Sequence, residues 1–122
     1  MIASDLDGTL FGADHVPERR TVAAVNAARD AGIHLVAVTG RSWFTGAPLA
    51  TSTGARLHHF LGSNGGHRLD LATGELEERL CFGRPSSLFV DTVHDALGPL
   101  GLGYETADGM IWDERFVDLL SP

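Results

Sequence analysis

The chain opens Met1-Ile2-Ala3-Ser4-Asp5-Leu6-Asp7-Gly8-Thr9-Leu10, a short apolar run that turns acidic and then meets a glycine. Ile2–Leu6 reads as a short buried strand, and the polar stretch 7–15 as the loop that leaves it. Asp5 and Asp7 stand one residue apart at the strand end, and in an extended segment such side chains share a face. Two carboxylates held this close attract a hard divalent cation and resist joint ionisation without it. With Mg²⁺ bound, one can attack phosphorus as a nucleophile while the other exchanges a proton with the leaving oxygen. Gly8 lets the backbone turn close to a phosphate, and Thr9 can hydrogen-bond in the same loop. Asp-x-Asp-Gly is equally the composition of a plain turn with an Asx contact.

Working outward, Pro17 suits the first turn of a helix and Glu18 its positive end. Thr21–Ala31 continues that helix, with Val22, Val25, Ala28 and Ala31 on or near one face. Gly32 stops it. His34–Val38 then reads as a second buried strand, so strand, helix and strand form a βαβ unit. After Thr39-Gly40-Arg41 an irregular helix is expected, interrupted by Gly46, Pro48 and Gly54. His58–Leu61 reads as a third strand ending in Ser63-Asn64-Gly65-Gly66. The class is α/β, a Rossmann-like parallel sheet. In open sheets of this kind ligands bind beyond the carboxyl ends of the strands. Three polar clusters fall there: 5–9, 39–41 and 63–65. The Thr39 hydroxyl and the unhindered Gly40 N–H suit phosphate oxygens. Taken singly, Thr39-Gly40 is a common loop pair, Arg41 could be a structural ion-pair donor, and Asn64-Gly65 could be only a turn.

Beyond Gly66 the pattern changes. Leu69 and Leu71 alternate with polar residues, Thr73-Gly74 marks a turn, and Leu76–Phe82 extends again, as a β-hairpin does. After Pro85, Phe89, Val93, Ala96, Leu97 and Leu100 recur at helical spacing, with Phe89, Val93 and Leu97 as core positions. Gly98-Pro99 ends that helix. Leu102, Tyr104 and Thr106 alternate, Asp108-Gly109 turns, and Met110–Trp112 returns. The expected organisation is a core over 1–66 and an α+β unit, ββαββ, over 67–122. His58 and His59, adjacent in a strand, should face opposite sides and be structural. Tyr104 and Trp112 read as core of the second unit.

Composition bounds the partners. The chain has 122 residues, 43% hydrophobic and 20% charged, with a net charge of −7. That balance argues against a general nucleic-acid or acidic-membrane binder. No apolar run approaches the ~20 residues of a membrane span, and the start shows no secretory leader. Cys81, the one cysteine, cannot form an internal disulfide and reads as a small buried or half-buried residue in a reducing compartment, the cytoplasm. All nine basic residues are Arg and there is no Lys.

Asp5-Leu6-Asp7-Gly8-Thr9-Leu10 resembles the first motif of the haloacid dehalogenase superfamily of phosphohydrolases. Thr39-Gly40-Arg41 resembles the second motif of its Cof-type branch, and Ser63-Asn64-Gly65-Gly66 that branch's Asn-Gly segment. The resemblance implies a Mg²⁺-dependent phosphatase that hydrolyses a small phosphorylated metabolite. It implies Asp5 as the nucleophile forming an aspartyl-phosphate and Asp7 as the general acid/base. Asp5 and the carbonyl of Asp7 would help hold Mg²⁺. Leu6, Gly8, Thr39, Gly40, Arg41 and Asn64 would surround the phosphoryl group, and 67–122 would be the subclass IIB cap that selects the substrate. The family pattern continues with a third-motif Lys and a fourth-motif acidic pair in a returning core segment, and neither is present here. The resemblance therefore covers the N-terminal core half and the cap, with weak or no turnover expected from this chain, or a non-catalytic, partner-dependent phosphate- or Mg²⁺-binding role. The opening strand would be an open edge, suited to a homodimer or a complementing chain.

Overall fold

Leu35 and Ala37 are buried while Val36 and Val38 are half-buried, the two-residue period of a strand with one face in the core. The computed structural model describes residues 1–79, 87–98 and 100–120. The chain divides into two compact units, Met1–Leu80 and Cys81–Pro122.

The first unit runs β1 (Ile2–Ser4), α1 (Arg19–Asp30), β2 (Leu35–Val38), α2 (Trp43–Ser52), β3 (His59–Gly62), a single 3₁₀ turn (Ser63–Gly65), β4 (His67–Asp70) and β5 (Leu76–Glu78). The strands form one sheet in the order β1-β2-β3-β4-β5. β1, β2 and β3 are parallel, whereas β4 and β5 add on antiparallel. The α/β class is as the sequence indicates. The core gathers Leu6, Leu10, Phe11, Leu35, Ala37, Ala47, Ala50, Leu57 and Phe60.

Several elements differ from the sequence reading. β1 stops at Ser4 rather than Leu6, because the backbone turns there: the Thr9 and Phe11 N–H groups donate to the Leu6 carbonyl and Leu10 N–H to that of Asp5. α1 starts at Arg19, which puts Glu18 at the cap position. α2 is continuous through Gly46 and Pro48. Gly46 is there for space, since a Cβ would lie 2.6 Å from Cζ of the buried Phe60 ring. Ser42 Oγ caps the helix by accepting from Phe44 N–H at 3.1 Å. The hairpin β4–β5, grouped by sequence with the second unit, extends the sheet of the first: Gly62 pairs with His67 and His59 with Asp70.

The histidines also differ. His58 and His59 both lie against His34, with ring centroids at 4.2 and 5.0 Å. β3 begins at His59, so His58 precedes the pleat and does not obey its alternation. His58 Nδ1 accepts from Leu35 N–H at 3.1 Å. Burial, with Arg29 nearby as the next cause, pushes its pKa below the usual histidine value.

The second unit holds α3 (Ser87–Leu97), the antiparallel pair β6 (Gly103–Thr106) and β7 (Gly109–Trp112), and α4 (Glu114–Leu120). The hairpin turns at Asp108-Gly109, as expected. α4 lies beyond the expected ββαββ order. Its signal is Asp113, whose Oδ1 accepts from Phe116 N–H at 2.8 Å; that bond holds the carboxyl below its ordinary pKa. Trp112 stacks parallel on Phe116 at 5.9 Å and stays partly exposed rather than entering a core. Phe89 and Leu97, expected in the core, are 58% and 69% exposed. The described elements of this unit, a two-stranded sheet and two helices, leave much of that helical stripe uncovered. Cys81, Phe82, Pro85 and Pro99 lie outside the described residues.

Candidate active site at the strand ends

Leu6 is fully buried, and its inward side chain leaves Asp5 exposed and Asp7 half-buried on either side of it. Leu10 and Phe11, also buried, pin the far end of the same loop to the core. Apolar anchors thus fix a loop whose polar residues face out. Asp5 Oδ1 accepts from Leu6 N–H at 2.8 Å. Gly8 takes φ +71°, a left-handed conformation that favours glycine.

Asp7 is held differently. Arg41 Nε donates to Asp7 Oδ2 at 2.6 Å and Arg41 Nη2 to Oδ1 at 2.7 Å, a two-pronged fork. His15 Nδ1 sits 3.0 Å from Asp7 Oδ1 and 3.0 Å from Arg41 Nη2; it donates to the first or accepts from the second according to its tautomer. The Arg41 hydrogen bond, above all, lowers the Asp7 pKa from 3.8 to about 2, with His15 adding to it. Arg41, expected near a phosphoryl group, is thus engaged with Asp7. His15 was not singled out in the sequence. Nothing local marks it, since loop closure alone brings it to Asp7.

The other two clusters meet at the ends of β2 and β3. Thr39 is buried; its N–H donates to Leu61 O at 2.9 Å and its Oγ1 accepts from Arg41 N–H at 3.2 Å. Asn64 N–H donates to Thr39 O at 3.3 Å, and Ser63 N–H to Arg41 O at 2.7 Å. The 63–65 turn is therefore tied directly to 39–41. Gly40 fits beneath Asn64: a Cβ there would stand 3.1 Å from Asn64 Oδ1. The fork joins 5–9 to 39–41, so all three clusters lie at one edge of the sheet.

As for a metal, Asp5 offers a carboxylate oxygen of the hard kind Mg²⁺ prefers, and the Asp7 side chain is taken by Arg41. Among the described residues, no group of three His, Cys, Asp or Glu gathers to hold an ion. Mg²⁺ keeps several waters and is commonly bound through one or two carboxylates plus substrate phosphate. The residues present fit that minimal mode and supply no closed protein cage.

The family model of haloacid dehalogenase-like hydrolases matches residues 2–78. No curated protein matches the chain. Solved structures do. A haloacid dehalogenase-like hydrolase from Bacteroides thetaiotaomicron superposes with a TM-score of 0.71 at 20% identity, over 92% of this chain and 42% of its own. A phosphatase of the same superfamily from that organism gives 0.73 at 17% identity, over 97% and 45%. A haloacid dehalogenase-like hydrolase from B. subtilis gives 0.71 at 21% identity, over 97% and 40%. The chain thus spans less than half the length of these structures, and likeness at such identities speaks to fold. With the family model covering most of the first unit, the chain belongs to the haloacid dehalogenase-like hydrolases.

Proposed function

We propose that this chain carries the nucleophile-bearing part of a Mg²⁺-dependent phosphatase of the Cof-type branch, acting on a small phosphate monoester in the cytoplasm. The observation that carries the reading is the meeting of Asp5, Asp7, Thr39, Gly40 and Asn64 at one sheet edge. Asp5 Oδ2 attacks phosphorus, the P–O bond to the leaving group breaks, and Asp7 supplies the proton that the leaving oxygen takes up. Water then attacks the aspartyl-phosphate, Asp7 removes its proton, and Asp5 is regenerated with release of phosphate. Thr39 Oγ1, the Gly40 N–H and the Asn64 side-chain amide orient the phosphoryl oxygens. Mg²⁺, when bound by Asp5 and the Asp7 carbonyl, supplies charge neutralisation on the phosphoryl group. The second unit takes the part of a substrate-selecting cap.

Phosphoryl transfer depends on positioning and charge neutralisation. With no Lys among these 122 residues, turnover by them alone is low, since single electrostatic groups are worth on the order of 10²–10³ in rate. The fork on Asp7 favours a second reading beside the first: a phosphate- or Mg²⁺-binding domain that works with a partner, its acid/base locked as an anion. Hydrolysis of p-nitrophenyl phosphate with and without Mg²⁺ separates the two. Mg²⁺-dependent turnover that disappears in Asp5→Asn supports the enzyme. Turnover that survives Asp5→Asn removes the covalent mechanism, and none in the parent chain leaves the binding role.

A further inference from the structure

Ser63, Asn64 and Gly65 all take positive φ, at 56°, 52° and 91°. Asn tolerates this region, but for Ser63 it is costly, and a strained residue of that kind persists only where the surroundings over-determine it. What lies beneath the turn is His67. It opens β4, is 4% exposed, and is paired in register with Gly62 on one side and Glu78 on the other. Its Nδ1 stands 3.3 Å from Ser63 Oγ. Its Nε2 is buried without a hydrogen-bond partner, the Glu78 carboxylate lying 3.8 Å away. The Trp43 ring lies 6.2 Å off. A side chain kept only to fill space here would be apolar, because burying an unpartnered imidazole nitrogen opposes folding. The polar contact that offsets this cost goes to the strained turn.

We infer that His67 is a positioning residue: it holds Ser63 in its left-handed conformation and so keeps Asn64 seated over Gly40. Where the ligand is concerned the inference rests on the phosphatase reading, since Asn64 and Gly40 are the groups offered there to a phosphoryl oxygen. His67 touches neither ligand nor reacting atom. It acts through a chain of contacts: His67 Nδ1 to Ser63 Oγ, Ser63 N–H to Arg41 O, and Asn64 N–H to Thr39 O.

The test uses ¹H–¹⁵N NMR of the 122-residue chain, first alone and then titrated with orthophosphate in the presence of Mg²⁺. Ser63→Ala should shift the His67 imidazole nitrogens. His67→Leu should move the Asn64 side-chain amide and the Gly40 backbone amide while leaving Thr73 and Gly74, in the β4–β5 turn, in place. It should also weaken orthophosphate binding about tenfold, the scale of one lost charge-assisted hydrogen bond. His67→Gln, which keeps a polar group near Nδ1, should restore most of that loss. His67→Leu combined with Ser63→Ala should be no weaker than His67→Leu alone. If His67→Leu does not fold, Ser63→Ala carries the test, with the same resonances moving in the same direction. Unmoved Asn64 and Gly40 resonances in a folded variant, or orthophosphate binding equal to the parent, would overturn the inference. If those resonances respond to His67→Leu but the parent never responds to orthophosphate, the positioning role stands and the phosphate reading fails.

Discussion

Asp7 is asked to hold a proton for a leaving group, yet its carboxylate is gripped at both oxygens by Arg41. A group with a pKa of about 2 is an anion at neutral pH and has no proton to give. Opening the fork returns the Asp7 pKa only towards 3.8. Acid catalysis therefore also draws on the negative charge of a bound phosphoryl dianion, which competes for the same guanidinium and favours the protonated carboxyl. The pair also has a pH signature. A carboxyl depressed in the folded state stabilises the fold above its ordinary value of 3.8, and that contribution is lost as pH falls towards 2. In Arg41→Ala, Asp7 should titrate close to 3.8, followed by its carboxyl ¹³C shift; titration still near 2 would assign the depression to another cause. The candidates Asp5, Asp7, Thr39, Gly40 and Asn64 could be read from sequence because strand ends in a parallel sheet gather loops at one edge. The fork could not, for Arg41 lies 34 residues from Asp7 and an arginine's partner is chosen only once the loops are folded.

Among the elements, β3 shows how closely the parts fit. Phe60 is fully buried, with Gly46 of α2 and Gly62 of its own strand against its ring. A Cβ at Gly62 would come within 2.5 Å of Phe60 Cε1 and 3.0 Å of the Arg41 carbonyl. Gly62→Ala should therefore cost about 1–3 kcal/mol in urea unfolding, the range for overpacking a tight core. An unchanged midpoint would mean that the ring moves aside freely. Strands β2 and β3 and helix α1 were legible because apolar periodicity and the Gly32 stop agree. α2 looked broken because Gly46 reads as a helix breaker until the Phe60 ring is seen beside it. The alternation over 67–78 marks a hairpin but not its neighbour, which the structure shows to be β3: alternation reveals that a strand exists, not which edge it joins. α4 went unread although Asp113 carries an N-cap signal, because seven residues show too little of a helical period.

For the whole molecule, the sheet of the first unit ends in β1 on one side and in β5, guarded by the charges of Glu77 and Glu78, on the other. Among the described residues β1 pairs with β2 alone, and Ile2 on it is 47% exposed. Unpaired edges of this kind invite another strand. The parent chain should associate with rising concentration in sedimentation velocity, and Ile2→Lys should abolish that association while preserving the circular dichroism spectrum. A parent that stays monomeric throughout would show the edge to be protected by other means. None of the described helices is long and apolar enough to cross a membrane.

Two of this sheet's strand pairings are not equal in how the chain must close them. Gly62 meets His67 across a short turn, whereas Ile2 must find Leu35 beyond an entire crossover helix. Closure entropy grows with the logarithm of separation, so the second pairing is costlier by roughly 1.7 kcal/mol. The backbone that presents the attacking oxygen is therefore the one whose docking is entropically most demanding, with a single ladder of hydrogen bonds to repay it. A second ladder laid along Ile2–Ser4 would stiffen the aim of the nucleophile as well as hide an edge, coupling assembly to reactivity through one short strand.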